Sequence, residues 1–142
     1  MRLIDANVLL YAVNEASPFH DRARSILDRA LSGQEGVGFA WVVVLAFLRL
    51  ATHPAVFARP LSTADAIGVL RAWLSQPPAI PIEPTSRHLD VLAGLLAEAG
   101  TAGNLVNDAH LAALAIEHDA VLVSFDADFG RFRGLRREQP SS

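Results

Sequence analysis

The chain is 142 residues long, 51% hydrophobic and 19% charged, with 15 acidic and 12 basic residues and a formal net charge of −3. That profile suits one packed domain spanning 1–142 and excludes disordered, collagen-like and low-complexity chains. Every basic residue is Arg, and with neither Lys nor Cys present, P-loop and Schiff-base lysines, thiolate zinc sites, disulfide scaffolds and cysteine nucleophiles are excluded together.

The absence of cysteine predicts a reducing, cytoplasmic setting. Two segments that could be taken for membrane or export signals fail: the apolar run Phe39–Leu48 is too short for a span and stops at Arg49, and Asp5 interrupts what would be the apolar part of a leader. No membrane association is expected.

In chain order, Arg2–Asp5 reads as a short strand ending on an acid, and Ala6 and Asn7 lead into the apolar Val8, Leu9, Leu10 and Tyr11. Pro18–Leu31 spaces Phe19, Ala23, Ile26, Leu27 and Ala30 by three and four, an amphipathic helix ended by Gly33. Gly36–Ala40 is a short buried strand. Trp41–Thr52 is apolar on every side, and its length favours a buried helix. A capping-box-like Ser62 and Asp65 start a helix carrying Ile67, Leu70, Trp73 and Leu74 inward, stopped by Pro77 and Pro78. Ala79–Ile82 predicts a third strand. Thr85 starts a helix with Leu89, Leu92, Leu95 and Leu96 inward, ended by Gly100. Gly103–Val106 lead into a helix through about His118, Val121–Ser124 is a fourth strand, and an edge strand is expected near Leu135. Short apolar strands alternating with helices predict a parallel sheet covered on both faces, a three-layer α/β fold.

Open parallel sheets bind ligands at the carboxyl ends of their strands. Asp5 closes the first strand there, Asp126 and Asp128 follow the fourth, and Asp108 stands in the first turn of its helix. Taken singly, Asp108 is also what a helix cap looks like, and Asp126 and Asp128 are common turn residues. Together they predict an acidic rim whose mutual repulsion calls for a cation. Oxygen donors without cysteine or paired histidines point to Mg²⁺ or Mn²⁺ rather than Zn²⁺.

The segments IDANVLLYA, NDAHLAALA and SFDADF, in this order and spacing, resemble the PIN-domain ribonucleases and in particular the VapC-type toxins of bacterial toxin–antitoxin pairs. The resemblance spans nearly the whole chain. It implies a central, mainly parallel sheet of four to five short strands between helical layers, Mg²⁺-dependent endoribonuclease activity, a small cognate VapB-type antitoxin and a homodimer. It also implies roles: Asp5, Asp108 and Asp126 as catalytic metal ligands with Asp128 as a fourth, and Asn7 and Ser124 as supporting residues. Many members carry a Glu near the position of Ala46, whereas this chain has no acid between Glu35 and Asp65; Asp128 is the expected compensator.

Other residues are less telling. Arg131 and Arg133, with Arg136 and Arg137, are placed to hold RNA phosphates or to form a solvated run. The five histidines read as helix-surface or capping residues. Trp41, Phe47, Phe57 and Trp73 are core by default, or a hydrophobic groove for a partner where they stay exposed. Two rival readings remain: a catalytically weak or inactive PIN-like binding module, and a haloacid-dehalogenase-like phosphatase. The latter would need an acid at the position of Asn7 and a phosphate-binding lysine.

Overall fold

A computed structural model describes residues 1–100 and 105–141. Among these residues five short strands, β1 (Arg2–Ile4), β2 (Val37–Ala40), β3 (Ala79–Ile82), β4 (Val121–Val123) and β5 (Arg137–Glu138), form one sheet in the order β3-β2-β1-β4-β5. Every pairing is parallel. Leu3, Ile4, Val37, Phe39, Leu122 and Val123 are almost fully buried, as residues of a sheet covered on both faces must be. Close approach to β3 explains one glycine: a Cβ at Gly38 would lie 2.7 Å from Ile82 Cγ1.

Among the described residues six helices surround the sheet: α1 (Ala6–Val13), α2 (His20–Leu31), α3 (Trp41–Ala51), α4 (Thr63–Leu74), α5 (His88–Ala99) and α6 (Val106–Glu117), with a 3-10 turn at Ala127–Arg131. The connections β1–β2 and β2–β3 step toward one edge of the sheet, and the connection β3–β4 returns past β1 to the other side. Right-handed crossovers therefore put α1 to α4 on one face and α5 with α6 on the opposite face. Packing agrees, since α1 contacts α2 and α3, α3 contacts α4, and α5 contacts α6. This is the α/β/α sandwich expected from the sequence.

Several local readings are corrected. The residues after Asp5 are a helix, which the sequence did not declare: α1 is eight residues long and apolar nearly throughout, so it shows no periodicity to separate it from a strand. Asp5 is its N-cap. Leu89 is not inward; its side chain is 75% exposed at the start of α5, and Leu95 is that helix's one buried residue. The helix begins at His88 rather than Thr85, which lies in the turn before it: the Thr85 N–H (2.9 Å) and hydroxyl (2.6 Å) donate to Glu117 Oε1, and the same hydroxyl oxygen accepts from the Arg87 N–H at 3.2 Å. The last strand forms at Arg137–Glu138, just beyond Leu135. Gly100 does end α5, at φ 78°, whereas the predicted lead-in from Gly103 lies partly outside the described residues.

The histidines are also not all surface groups. His88 and His110 meet between α5 and α6, with His88 Nε2 2.8 Å from His110 Nδ1. His88 Nδ1 pairs with Glu117, whose side chain is wholly buried. Burial alone would raise the Glu117 carboxyl, but the Thr85 and His88 hydrogen bonds outweigh it and hold the group below its ordinary value. His110 is lowered by burial and by its neighbour His88.

Candidate metal centre and active site

The strand order reverses direction between β1 and β4, and at that point the carboxyl ends of the two strands diverge into a crevice. Asp5 leaves β1 there, its N–H donating to Val123 O at 3.0 Å. The carboxylate is fixed through both oxygens. Oδ1 accepts from the Ala6 N–H at 2.7 Å and Oδ2 from the Ser124 hydroxyl at 2.6 Å.

Ser124 is buried, and its hydroxyl is saturated. It donates to Asp5 and accepts from Asn7 Nδ2 at 3.1 Å and from the Asp126 N–H at 3.0 Å. Asn7 Oδ1 in turn accepts from the Phe125 N–H at 3.1 Å. The end of β4 is thereby stitched to the start of α1, and Asn7 and Ser124 act on Asp5 through named bonds. Asp126 serves its turn as well: Oδ1 accepts from the Asp128 N–H at 2.9 Å and opens the 3-10 turn.

Asp108 faces Asp5 across a cleft of about 300 Å³, lined also by Ala6, Val42, Val43, Leu45, Ala46, Arg49, Asn107 and Leu111. Among the described residues, no hydrogen bond to the Asp108 side chain makes it a helix cap. Asn107 is a lining residue that the sequence reading missed; its place beside Asp108 in the first turn of α6 was the available signal.

The electrostatics show which acids share the space. Burial is the largest influence raising Asp5, opposed by the Ser124 and Ala6 hydrogen bonds and reinforced by the charge of Asp126. Asp108 is raised by burial, then by Asp126 and Asp5, with Arg131 lowering it and Asp128 adding slightly. Asp126 thus acts on both Asp5 and Asp108 through its charge, and Asp5 acts on Asp108. Asp128 stands further out, with its side chain 70% exposed and 3.9 Å from Arg131 Nη2. Arg131 donates through Nε to Asp128 O at 3.1 Å, and Arg133 is exposed.

The PIN-domain family model matches residues 2–135. The chain belongs to the PIN-domain family. Among curated proteins, this PIN domain is 56% identical over 140 residues to Ribonuclease VapC37 of Mycobacterium tuberculosis, covering 99% of this chain and 97% of the relative. It is 44% identical to Ribonuclease VapC33 of the same species, covering 99% and 98%. Among solved structures it is similar to VapBC2 from Rickettsia felis bound to a promoter DNA fragment, with TM-score 0.73, 19% identity and coverage of 99% and 98%. It is also similar to Mycobacterium tuberculosis VapC20, described as a sarcin-ricin loop cleaving toxin, with TM-score 0.67, 16% identity and coverage of 96% and 99%.

The donor set of this PIN domain is all oxygen and fits a hard divalent cation. Among the described residues, no three His, Asp or Glu side chains close on a single point. Two carboxylates nevertheless suffice for Mg²⁺, which keeps several waters and takes its remaining oxygens from substrate phosphate. No described helix is long and apolar enough to cross a membrane.

Proposed function

We propose that this PIN domain is a divalent-metal-dependent endoribonuclease of the VapC type, the toxin of a pair neutralised by a VapB-type antitoxin. The observation that carries the reading is the opposition of Asp5 and Asp108 across one cleft at the strand-order reversal, in a chain 56% identical to a ribonuclease over nearly its whole length. Asp5, Asp108 and Asp126 are the proposed catalytic and metal-binding acids, with Asp128 supporting them from outside.

A divalent cation held by Asp5 and Asp108, Mg²⁺ or Mn²⁺, supplies the Lewis acidity that activates water and polarises the scissile phosphoryl group. Ser124 and the Ala6 N–H hold the Asp5 carboxylate in one orientation, leaving a lone pair on each oxygen for the cleft. Asp126 adds negative charge that draws a cation inward and leaves the site strained without one. No side chain of the cleft is required as nucleophile. Asn7, where a phosphatase of the haloacid-dehalogenase kind would carry its second acid, is committed to Ser124 and the Phe125 N–H, which disfavours that rival.

The test is incubation with structured RNA and Mg²⁺ or Mn²⁺, with and without chelator. Cleavage that needs metal and is abolished in a folded Asp5→Ala variant supports the reading. Cleavage absent under every metal condition would leave the inactive binding module as the better account.

A further inference from the structure

The wall of the cleft opposite the acids has features that metal-assisted hydrolysis does not use. Trp41, Leu45 and Arg49 succeed one another at four-residue intervals on α3 and so form one stripe. The helix buries Val43, Val44, Phe47 and Ala51 instead. Trp41 is 55% and Leu45 58% exposed, and Arg49 is exposed as well. Trp41 starts α3 directly after β2, at the carboxyl edge of the sheet, and Leu45 and Arg49 line the cleft with Asp5 and Asp108.

Arg49 is the basic residue of that cleft, and among the described residues its guanidinium has neither a hydrogen bond nor an ion pair. Several other arginines are engaged, Arg2 with Glu138, Arg24 with Asp28, Arg131 with Asp128 and Arg136 with Asp119, with Arg22 over the Phe19 ring; Arg59, Arg71, Arg133 and Arg137 share the lack of a partner among the described residues but do not line this cleft. An arginine without a protein partner on the lining of an acidic cleft suits an anion that enters the cleft. A phosphodiester has that charge. A partner helix would instead need a continuous apolar groove, whereas this stripe holds two apolar residues and then runs into a charge inside the acidic cleft.

We propose that the α3 stripe is the track for single-stranded RNA entering the site, an inference that rests on the ribonuclease reading. Arg49 holds a phosphate beside the reactive one, Leu45 packs against the intervening sugar and Trp41 stacks on a base. Trp41 and Arg49, eight positions apart, span about 12 Å of helix, roughly three stacked nucleotides at about 3.4 Å each. Stacking on an exposed indole tolerates any base, so the track contributes affinity and direction more than sequence choice.

The two contacts leave different signatures. Binding of a short fluorescein-labelled single-stranded oligoribonucleotide of mixed sequence is followed by anisotropy at several salt concentrations, in an Asp108→Asn background that prevents turnover. Trp41→Ala should weaken binding by about 5- to 100-fold without altering its salt dependence. Arg49→Gln should reduce the slope of log affinity against log salt by about 0.7, the share of one phosphate contact on a single strand, and Arg49→Lys should restore it. In the active protein both substitutions should raise KM more than they lower kcat.

If the unaltered protein cleaves RNA while Trp41→Ala and Arg49→Gln bind and cleave as it does, the track is wrong and the ribonuclease reading survives. If the unaltered protein neither binds nor cleaves RNA with Mg²⁺ or Mn²⁺, both fail. A loss confined to association with a partner protein assigns the stripe to that partner and overturns the proposal.

Discussion

Replacing Ser124 with Ala removes a single hydroxyl and disturbs three partners. The hydroxyl donates to Asp5 at 2.6 Å and accepts from Asn7 and the Asp126 N–H at 3.1 and 3.0 Å, in a residue only 6% exposed. A hydrogen bond to a charged group is worth about 1.5–3 kcal/mol and each neutral one about 1 kcal/mol. The full loss would be about 3–5 kcal/mol, but Asp5, Asn7 and Asp126 are half-buried and water recovers part of it. The expected destabilisation is therefore about 2–4 kcal/mol, read from urea unfolding in the presence of chelator.

The same change acts on function through Asp5. Without Ser124 the carboxylate loses the strongest influence that lowers its pKa, and it also loses its fixed orientation. Groups that orient a metal ligand typically cost about 10- to 100-fold in metal affinity or activity when removed, so the Mn²⁺ concentration giving half-maximal cleavage should rise by that factor. An unfolding free energy within about 0.5 kcal/mol of the parent, together with an unmoved metal midpoint, would refute the reasoning that Ser124 holds Asp5 in place.

Because Asp5 and Asp108 are both raised, the folded metal-free protein binds protons more tightly than the unfolded chain. Its stability should fall as pH rises through their folded-state values and recover on acidification toward the ordinary carboxylate range; chelated samples melted across that window check this, and a flat profile contradicts it. Glu117 has the opposite sign: it is lowered, so its contribution is present above the ordinary glutamate range and is lost as pH falls through its folded-state value. Glu117→Ala should cost about 3–5 kcal/mol in urea unfolding at neutral pH, since it leaves a buried half-network behind. Ala46→Glu would put a third carboxylate on the cleft lining beside Asp5 and Asp108. It should lower metal-free stability and tighten Mn²⁺ binding measured calorimetrically, and unchanged affinity would show that Ala46 does not face the ion.

Strands β1 to β4 were legible because they are short, mainly apolar runs bounded by turn residues, whereas β5 is Arg137–Glu138, with no apolar residue to mark it; Asp5 was legible because a charge at the end of an apolar run is costly without a purpose. The helix α1 was hidden by its own composition: eight mostly apolar residues beginning at the strand's last acid leave no period to count. The exposed side of α3 was hidden for a related reason. With Trp41 through Leu48 all apolar, the sequence cannot say that Phe47 faces the core and Leu45 the cleft. Leu89 misled in the other direction: it repeats with Leu92 and Leu96 at spacings of three and four, but the buried residue is Leu95, about 120° around the helix from Leu89. The cluster of His88, His110 and Glu117 had no sequence signal at all, since its members come from two helices and meet only through tertiary packing.

A chain with net charge −3 and no lysine looks badly suited to handling RNA until its charges are sorted by wall. The acids lining the cleft are Asp5, between β1 and α1, and Asp108 on α6, with the charge of Asp126 from the turn after β4 acting on both, while α3 lines the same cleft with Arg49. The two opposed acids are not equivalent. Both oxygens of Asp5 are already held by protein donors, so in the proposed role it would set the position of a bound ion, whereas Asp108, with no described hydrogen bond to its carboxylate, would be the more adjustable ligand. The burial that raises Asp5 is the cost of that fixity, and it means the metal-free site stores unfavourable charge that a cation relieves. A missing acid on α3 then removes one source of repulsion and leaves that wall able to accept a phosphate, so the net charge of the whole chain is a poor guide to the polarity that an incoming strand meets.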